Sequence, residues 1–225
     1  MGAPPARPDE GAPVAPPPRG AWPAAKRAID VAGSAVLLAG LSPLLAVLAV
    51  AVRVEGGGPV FYRQERLGQG GRTFRMFKFR TMRPGSDRAM ELNPDGSVRT
   101  SDQDPRITRV GRVLRRLSLD ELPQLLNVLL GHMSLVGPRP DLPFHAQYYG
   151  PRERAKLAVR PGITGLAQVS GRNALPWPER LQLDAEYVER FSPGMDLRIV
   201  GRTLRNVVRQ EGIYAHTSTP GDGRK

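Results

Sequence analysis

Two adjacent carboxylates, Asp120 and Glu121, stand between the basic pair Arg115-Arg116 and Arg139, which is flanked by two prolines. They lie in the stretch Ser118 to Pro140, where Ser-Leu-Asp-Glu-Leu-Pro-Gln is followed by Asn-Val-Leu-Leu-Gly-His-Met-Ser-Leu-Val-Gly-Pro-Arg-Pro. Phosphoryl transfer needs an anionic nucleophile or metal ligand close to cations that hold phosphate oxygens, and this segment supplies both. Consecutive helical residues point about 100° apart, so the two carboxylates cannot both face one atom squarely but can divide the labour. One could attack phosphorus while the other binds Mg²⁺, a hard cation that prefers oxygen ligands and often bridges to substrate phosphates. The competing structural reading of Ser118-Leu119-Asp120-Glu121 is a capping box, with Glu121 reaching back to an N-cap Ser118. That register puts Pro123 inside the first turns of the helix, where its missing N–H costs a backbone bond; a start one or two residues later accommodates it better.

The elements that must position these groups begin with an apolar run. From Ala28 to Val52 the only formal charge is Asp30, with Lys26-Arg27 in front and Arg53 behind. As a helix this run reaches about 37 Å, enough for a hydrocarbon core of about 30 Å. Pro43 sits inside it, after Ser42, and removes the hydrogen bond to the carbonyl of Ala39, although a serine hydroxyl can partly satisfy freed backbone groups. Basic residues at both ends give no preference for one side of a membrane, as expected when both ends stay on the cytoplasmic side. The expectation is a re-entrant helix-break-helix over residues 23–55, broken at Ser42-Pro43 and dipping into one leaflet. A kinked spanning helix and a buried soluble helix are the alternatives.

Residues 1–22, rich in Ala, Pro and Gly, read as a disordered tail, and 215–225 as a flexible one. Between them, 56–214 forms a compact domain whose expected class is α/β, mostly α, with a short β-hairpin and amphipathic interfacial helices. The hairpin falls between Val60 and Met82, where aromatic and basic residues alternate around Gly68, Gly70 and Gly71. Such alternation suits single-stranded nucleic acid as well as a half-buried sheet with a basic face. Residues 84–104 read as a mobile polar loop with a turn at Asn93-Pro94-Asp95-Gly96. Helical patterning covers Ile107 to Leu117, Leu119 to Leu130, about 178–191 and about 195–210. In the last of these, Leu197, Val200, Leu204 and Val207 oppose Arg198, Arg202, Arg205 and Arg209, the pattern of a helix lying on a bilayer surface.

The net charge is +12, and residues 53–116 hold 15 Lys or Arg against 7 Asp or Glu. This surface suits phospholipid headgroups, nucleotide phosphates or nucleic acid. The chain has no cysteine and three dispersed histidines, which excludes disulfides and thiolate metal sites and argues against a zinc enzyme.

Motif order carries the reading further. Lys26-Arg27 with Asp30, Ser42-Pro43, Gly58-Pro59-Val60-Phe61-Tyr62-Arg63-Gln64, Lys78-Phe79-Arg80-Thr81-Met82 and Asp104-Pro105-Arg106-Ile107-Thr108 lead into the Ser118–Gln124 and Val136–Pro140 motifs. Pro161 to Gly165, Gln168 to Asn173, and Asp184 with Tyr187 follow. Over roughly residues 26–214 the chain resembles the bacterial sugar transferase family, the monotopic phosphoglycosyl transferases acting on polyprenyl phosphate, in its minimal form.

That resemblance implies a two-step reaction at the cytoplasmic face of the bacterial plasma membrane. Asp120 attacks the sugar-bearing phosphorus of a nucleoside diphosphate sugar, with uridine the expected base, and polyprenyl (undecaprenyl) phosphate then takes the phosphosugar. Glu121 corresponds to the family's Mg²⁺-binding carboxylate, and Arg115 and Arg139 to phosphate-binding positions. Lys78 and Arg80 also match family motifs as candidate phosphate-binding residues, and Arg172 and Asp184 as site candidates without individual roles. Structural ion pairing is the alternative for these four. Membrane lipids and downstream glycosyltransferases are the implied partners, and nucleic acid is not. Thr81 stands where the family often has Ser. Two other readings remain: a membrane-tethered nucleic-acid-binding protein, which gives no reason for the carboxylate pair, and a catalytically inactive scaffold of polysaccharide assembly.

Overall fold

One helix, α1, runs without interruption from Trp22 to Gly56 through Pro43. It belongs to a computed structural model that describes residues 15–86, 93, 104–171 and 175–209. The turn expected at Asn93 to Gly96, apart from Asn93, lies outside the described residues, as do most of the N-terminal tail, the whole C-terminal tail and Arg172. The expected helix break is corrected by the local chemistry. Pro43 offers no N–H to the carbonyl of Ala39, and Ser42 Oγ donates to that carbonyl instead, at 2.7 Å.

Both ends of α1 dock on the folded domain. At the N-terminal end Lys26 Nζ pairs with Asp196 Oδ2 at 2.6 Å, both side chains buried. Arg27 donates to the carbonyls of Val128 and Leu129, and the Leu135 N–H donates to Asp30 Oδ1 at 2.9 Å. At the C-terminal end Val52 packs with Phe79 and Leu114. There the Glu55 carboxylate accepts the N–H groups of Arg109 and Val110, both at 2.7 Å. Between these anchors Val36, Val47 and Val50 face outward, each more than 60% exposed. A contiguous apolar face of this kind marks contact with a membrane or another apolar partner.

The expected hairpin is present. Strands β1 (Phe61–Leu67) and β2 (Thr73–Phe79) pair antiparallel, from Phe61 opposite Phe79 to Leu67 opposite Thr73. The turn between them uses Gly70 and Gly71 at positive φ, where a side chain would be strained. Helix α2 (Arg109–Arg116) follows, N-capped by Thr108 Oγ1, which accepts the Gly111 N–H. The helix expected from Leu119 is divided. A 3₁₀ turn spans Leu119–Glu121, and α3 (Gln124–Leu129) starts only after Pro123.

A second, parallel pair joins β3 (Ser134–Val136) to β4 (Gly162–Thr164). Here Gly137 and Gly162 nearly touch: a Cβ on Gly162 would lie 2.1 Å from the Gly137 nitrogen. Helices α4 (Leu166–Ser170), α5 (Trp177–Glu189) and α6 (Pro193–Arg209) complete the domain. Val136, Val159, Leu166, Tyr187, Met195 and Ile199 form its principal core. The stripe on α6 turns away from that core, with Leu197 74% and Leu204 63% exposed. Core packing is therefore not the reason for its apolar character.

Candidate active site

Ser118 introduces the carboxylate pair from a left-handed backbone conformation, φ 56° and ψ 22°, and its side chain caps nothing. It is the one non-glycine residue with positive φ among the described residues. The capping box is thereby excluded, and Glu121 turns to cations rather than to its own backbone. Lys78 Nζ donates to Glu121 Oε1 at 2.7 Å, and Arg139 Nη2 donates to the same oxygen at 3.2 Å. Burial pushes the Glu121 carboxyl up, but Lys78 and Arg139 outweigh it and hold the group below the usual carboxylate range. Glu121 is ionised and fixed.

Asp120 differs in each respect. Its carboxylate makes no hydrogen bond among the described residues, and it lines the same cleft. Burial pushes its carboxyl above the ordinary aspartate value, opposed first by Lys78 and then by Arg115 and Arg139. Adjacent acids thus have opposite environments, one clamped and one free to react.

Each surrounding cation is set by an identifiable element. Lys78 sits near the end of β2, and Asn127 of α3 fixes that strand by accepting the Phe77 N–H and donating to the Arg75 carbonyl. Arg115, in the last turn of α2, donates from Nε to Thr81 Oγ1 at 2.8 Å, which aims its guanidinium. Arg139 lies between prolines on backbone that extends the β3–β4 pairing: Gly137 N donates to the Thr164 carbonyl and Gly162 N to the Pro138 carbonyl. A Cβ on Gly137 would stand 2.5 Å from the Arg160 carbonyl, which explains glycine ahead of Pro-Arg-Pro.

Behind Arg139 lies a buried network. Lys156 Nζ donates to Asp141 Oδ2 and Asp184 Oδ2, both at 2.7 Å, and Tyr149 donates its hydroxyl proton to Asp141 at 2.6 Å. Burial alone raises Asp141, but Lys156 and the surrounding donors pull it far below the usual range. Asp184 is held above its ordinary value by burial despite the same lysine.

The structure therefore gathers Asp120, Glu121, Lys78, Arg115 and Arg139 on one wall. Arg80 and Asp184 line the same cleft, Asp184 as a buried partner of Lys156. Arg80 is 7% exposed and donates to the Gly57 carbonyl, at the junction with α1. Sequence reasoning passed over Thr81 as an orienting group, Asn127, Asp141, Tyr149 and Lys156. A polar Asn within Leu-Leu-Asn-Val-Leu-Leu is a signal that points to a buried bonding role; Lys156 carries no comparable local signal.

The cleft encloses about 1780 Å³. That exceeds the 300–1,000 Å³ of a usual small-molecule site. Leu37 and Leu41 of α1 and Val200 and Leu204 of α6 form an apolar wall, while Arg63, Arg112, Arg115 and Arg116 form a basic one. Lys78 and Arg139 both bond Oε1 of Glu121, which leaves its Oε2 and the Asp120 carboxylate as oxygen donors of the kind Mg²⁺ takes alongside phosphate and water. No cluster of three metal-binding side chains occurs among the described residues.

A carboxylate pair among fixed cations, in a cleft that also has apolar lining, is suited to handling phosphate. The model described as "Bacterial sugar transferase" matches residues 22–210, and the chain belongs to that family. It is a phosphoglycosyl transferase. The chain is 43% identical to the exopolysaccharide production protein ExoY of Rhizobium meliloti (strain 1021), covering 84% of this chain and 88% of the relative. It is also 43% identical to the UDP-glucose:undecaprenyl-phosphate glucose-1-phosphate transferase of Caulobacter vibrioides, covering 90% of this chain and 76% of that protein. The UDP-galactose-lipid carrier transferase of Erwinia amylovora is 39% identical over 84% of this chain and 41% of its own length.

Proposed function

We propose that this protein transfers a sugar 1-phosphate from a uridine diphosphate sugar to undecaprenyl phosphate through a phosphosugar covalently held on Asp120. The observation that carries this reading is the contrast between the unbonded Asp120 carboxylate and its clamped neighbour Glu121. An Asp120 oxygen attacks the phosphorus that bears the sugar. The bond from that phosphorus to the bridging oxygen breaks, and uridine monophosphate leaves with the electron pair. An oxygen of the lipid phosphate then attacks the same phosphorus, the bond to Asp120 breaks, and the carboxylate is restored.

Arg139 and Arg115 hold the phosphate oxygens with forked donors, and the Thr81 hydroxyl keeps Arg115 aimed. Lys78 holds Glu121 in place and adds positive charge beside Asp120. Mg²⁺ held by Glu121, with Asp120 adjacent, would supply charge neutralisation for the diphosphate. Arg80 and Asp184 act as supports, Arg80 at the α1 junction and Asp184 through Lys156 behind Arg139.

The same geometry supports a membrane arrangement. An unbroken helix whose two ends bind one folded domain keeps both ends on one side of the bilayer, so α1 lies as an interfacial element of the plasma membrane's cytoplasmic face. The outward apolar residues of α1 and α6 sit in that interface, and a lipid phosphate reaches Asp120 along the apolar wall of the cleft. Members of exopolysaccharide assembly that use the product are the expected partners.

The test is uridine monophosphate release by the detergent-purified protein with Mg²⁺, undecaprenyl phosphate and a panel of UDP-sugars, beside Asp120→Asn. Lipid-dependent release from one sugar, lost in the variant, is the expected result and names the sugar. No release across the panel from folded, lipid-bound protein would contradict the reading in favour of an inactive scaffold.

A further inference from the structure

A second pocket, of about 490 Å³, opens where the C-terminal end of α1 meets the start of α2. Arg83, Arg109 and Arg112 line it, over a floor that includes Gly56, Pro84 and Ile107. None of these three guanidinium groups makes a hydrogen bond or ion pair among the described residues. The one carboxylate in the wall, Glu55, is committed to the backbone N–H groups of Arg109 and Val110. Arg80, which lines the neighbouring catalytic cleft, is buried and keeps one nitrogen, Nη1, without a partner close to Gly58. Among the described residues of its wall the pocket thus has three guanidinium groups against the single carboxylate of Glu55, and is net cationic.

Apolar residues flank the rim. Val54, in the last turn of α1 and next to Glu55, is 79% exposed, and Val113 of α2, next to Arg112, is exposed as well. A soluble phosphate would use the arginines and leave this rim in water. A ligand with an anionic phosphate head and acyl chains uses both. We infer that this pocket binds the headgroup of an anionic glycerophospholipid, separately from the polyprenyl phosphate that reacts at Asp120. The pocket adjoins the catalytic cleft through Arg83 and Arg112, which line both. Occupation fixes α2, which carries Arg115, at the depth of the headgroups.

Native mass spectrometry of the full chain in detergent tests this without nucleotide sugar or turnover, so its outcome is independent of the proposed reaction. The probes are phosphatidylglycerol, phosphatidylcholine and tailless glycerol 1-phosphate. One phosphatidylglycerol should be retained in preference to phosphatidylcholine. Arg83→Gln with Arg109→Gln should weaken it by about tenfold, since each basic residue near a headgroup contributes to attraction. The matched Lys double variant should keep most of the affinity, which separates loss of charge from misfolding, and Arg198→Gln with Arg202→Gln on α6 should leave it unchanged. Wild-type retention by the Gln variant, equal retention of phosphatidylcholine, or displacement by equimolar glycerol 1-phosphate would each overturn the inference.

Discussion

Asp120, as the proposed nucleophile, combines two demands that conflict at the scale of the residue. A nucleophile must be ionised, yet burial opposes its charge more than Lys78, Arg115 and Arg139 support it. The acid limb of the pH–rate profile should therefore lie above the ordinary aspartate value of about 4, as kcat/KM measured across pH would record. The sign for stability follows. A carboxyl with a raised folded-state pKa contributes stability below its unfolded value and loses it as pH rises through the folded one. At neutral pH the ionised Asp120 is thus a net cost, so Asp120→Asn should abolish turnover while raising Tm. Glu121 has the opposite sign, its contribution being present above the unfolded value and lost as pH falls through the folded one. Glu121→Gln should lower stability at neutral pH by about 1.5–3 kcal/mol in denaturant titrations, because Lys78 and Arg139 lose a charged acceptor. The sequence already singled out the pair and its cations, since they are near neighbours along the chain. It did not distinguish the two acids by environment, because Lys78 reaches Glu121 only through the fold.

At the scale of the element, positions with local signals were legible and positions set by long-range contact were not. The Gly-rich turn and alternating residues specified the β1–β2 hairpin, and amphipathic spacing located α2, α5 and α6. Pro123 signalled a late helix start, but the left-handed Ser118 that produces it had no sequence mark, since serine is an uncommon residue there. The helix through Pro43 survived because the Ser42 hydroxyl replaces the missing donor. Ser42→Ala should cost about 0.6 kcal/mol in detergent unfolding, the scale of one hydrogen bond in an apolar phase. Of the layer behind Arg139 only Asp184 was legible, from its motif, because Lys156, Asp141 and Asp184 come together only on folding. Lys156→Met leaves two buried carboxylates without their cation and should destabilise the domain by about 3–5 kcal/mol, read from denaturant midpoints.

For the whole molecule, one helix is fastened at both ends to one domain, and the proposed membrane geometry rests on that. The Lys26–Asp196 pair and the Glu55 carboxylate hold the two ends, while the exposed residues of α1 and α6 give the intervening surface its apolar character. The native chain has no cysteine, so single Ala21→Cys and Ser86→Cys variants label without background. Both should react with a membrane-impermeant maleimide only from the cytoplasmic side, and labelling of one from each side would contradict the proposed interfacial arrangement. The most direct test of the central claim is intact mass spectrometry of the protein after incubation with a UDP-sugar panel and Mg²⁺, without lipid phosphate. The account predicts one added sugar phosphate, mapped to Asp120, absent in Asp120→Asn and discharged when undecaprenyl phosphate is supplied. Turnover without that adduct under rapid quenching, or an adduct on another residue, would contradict it.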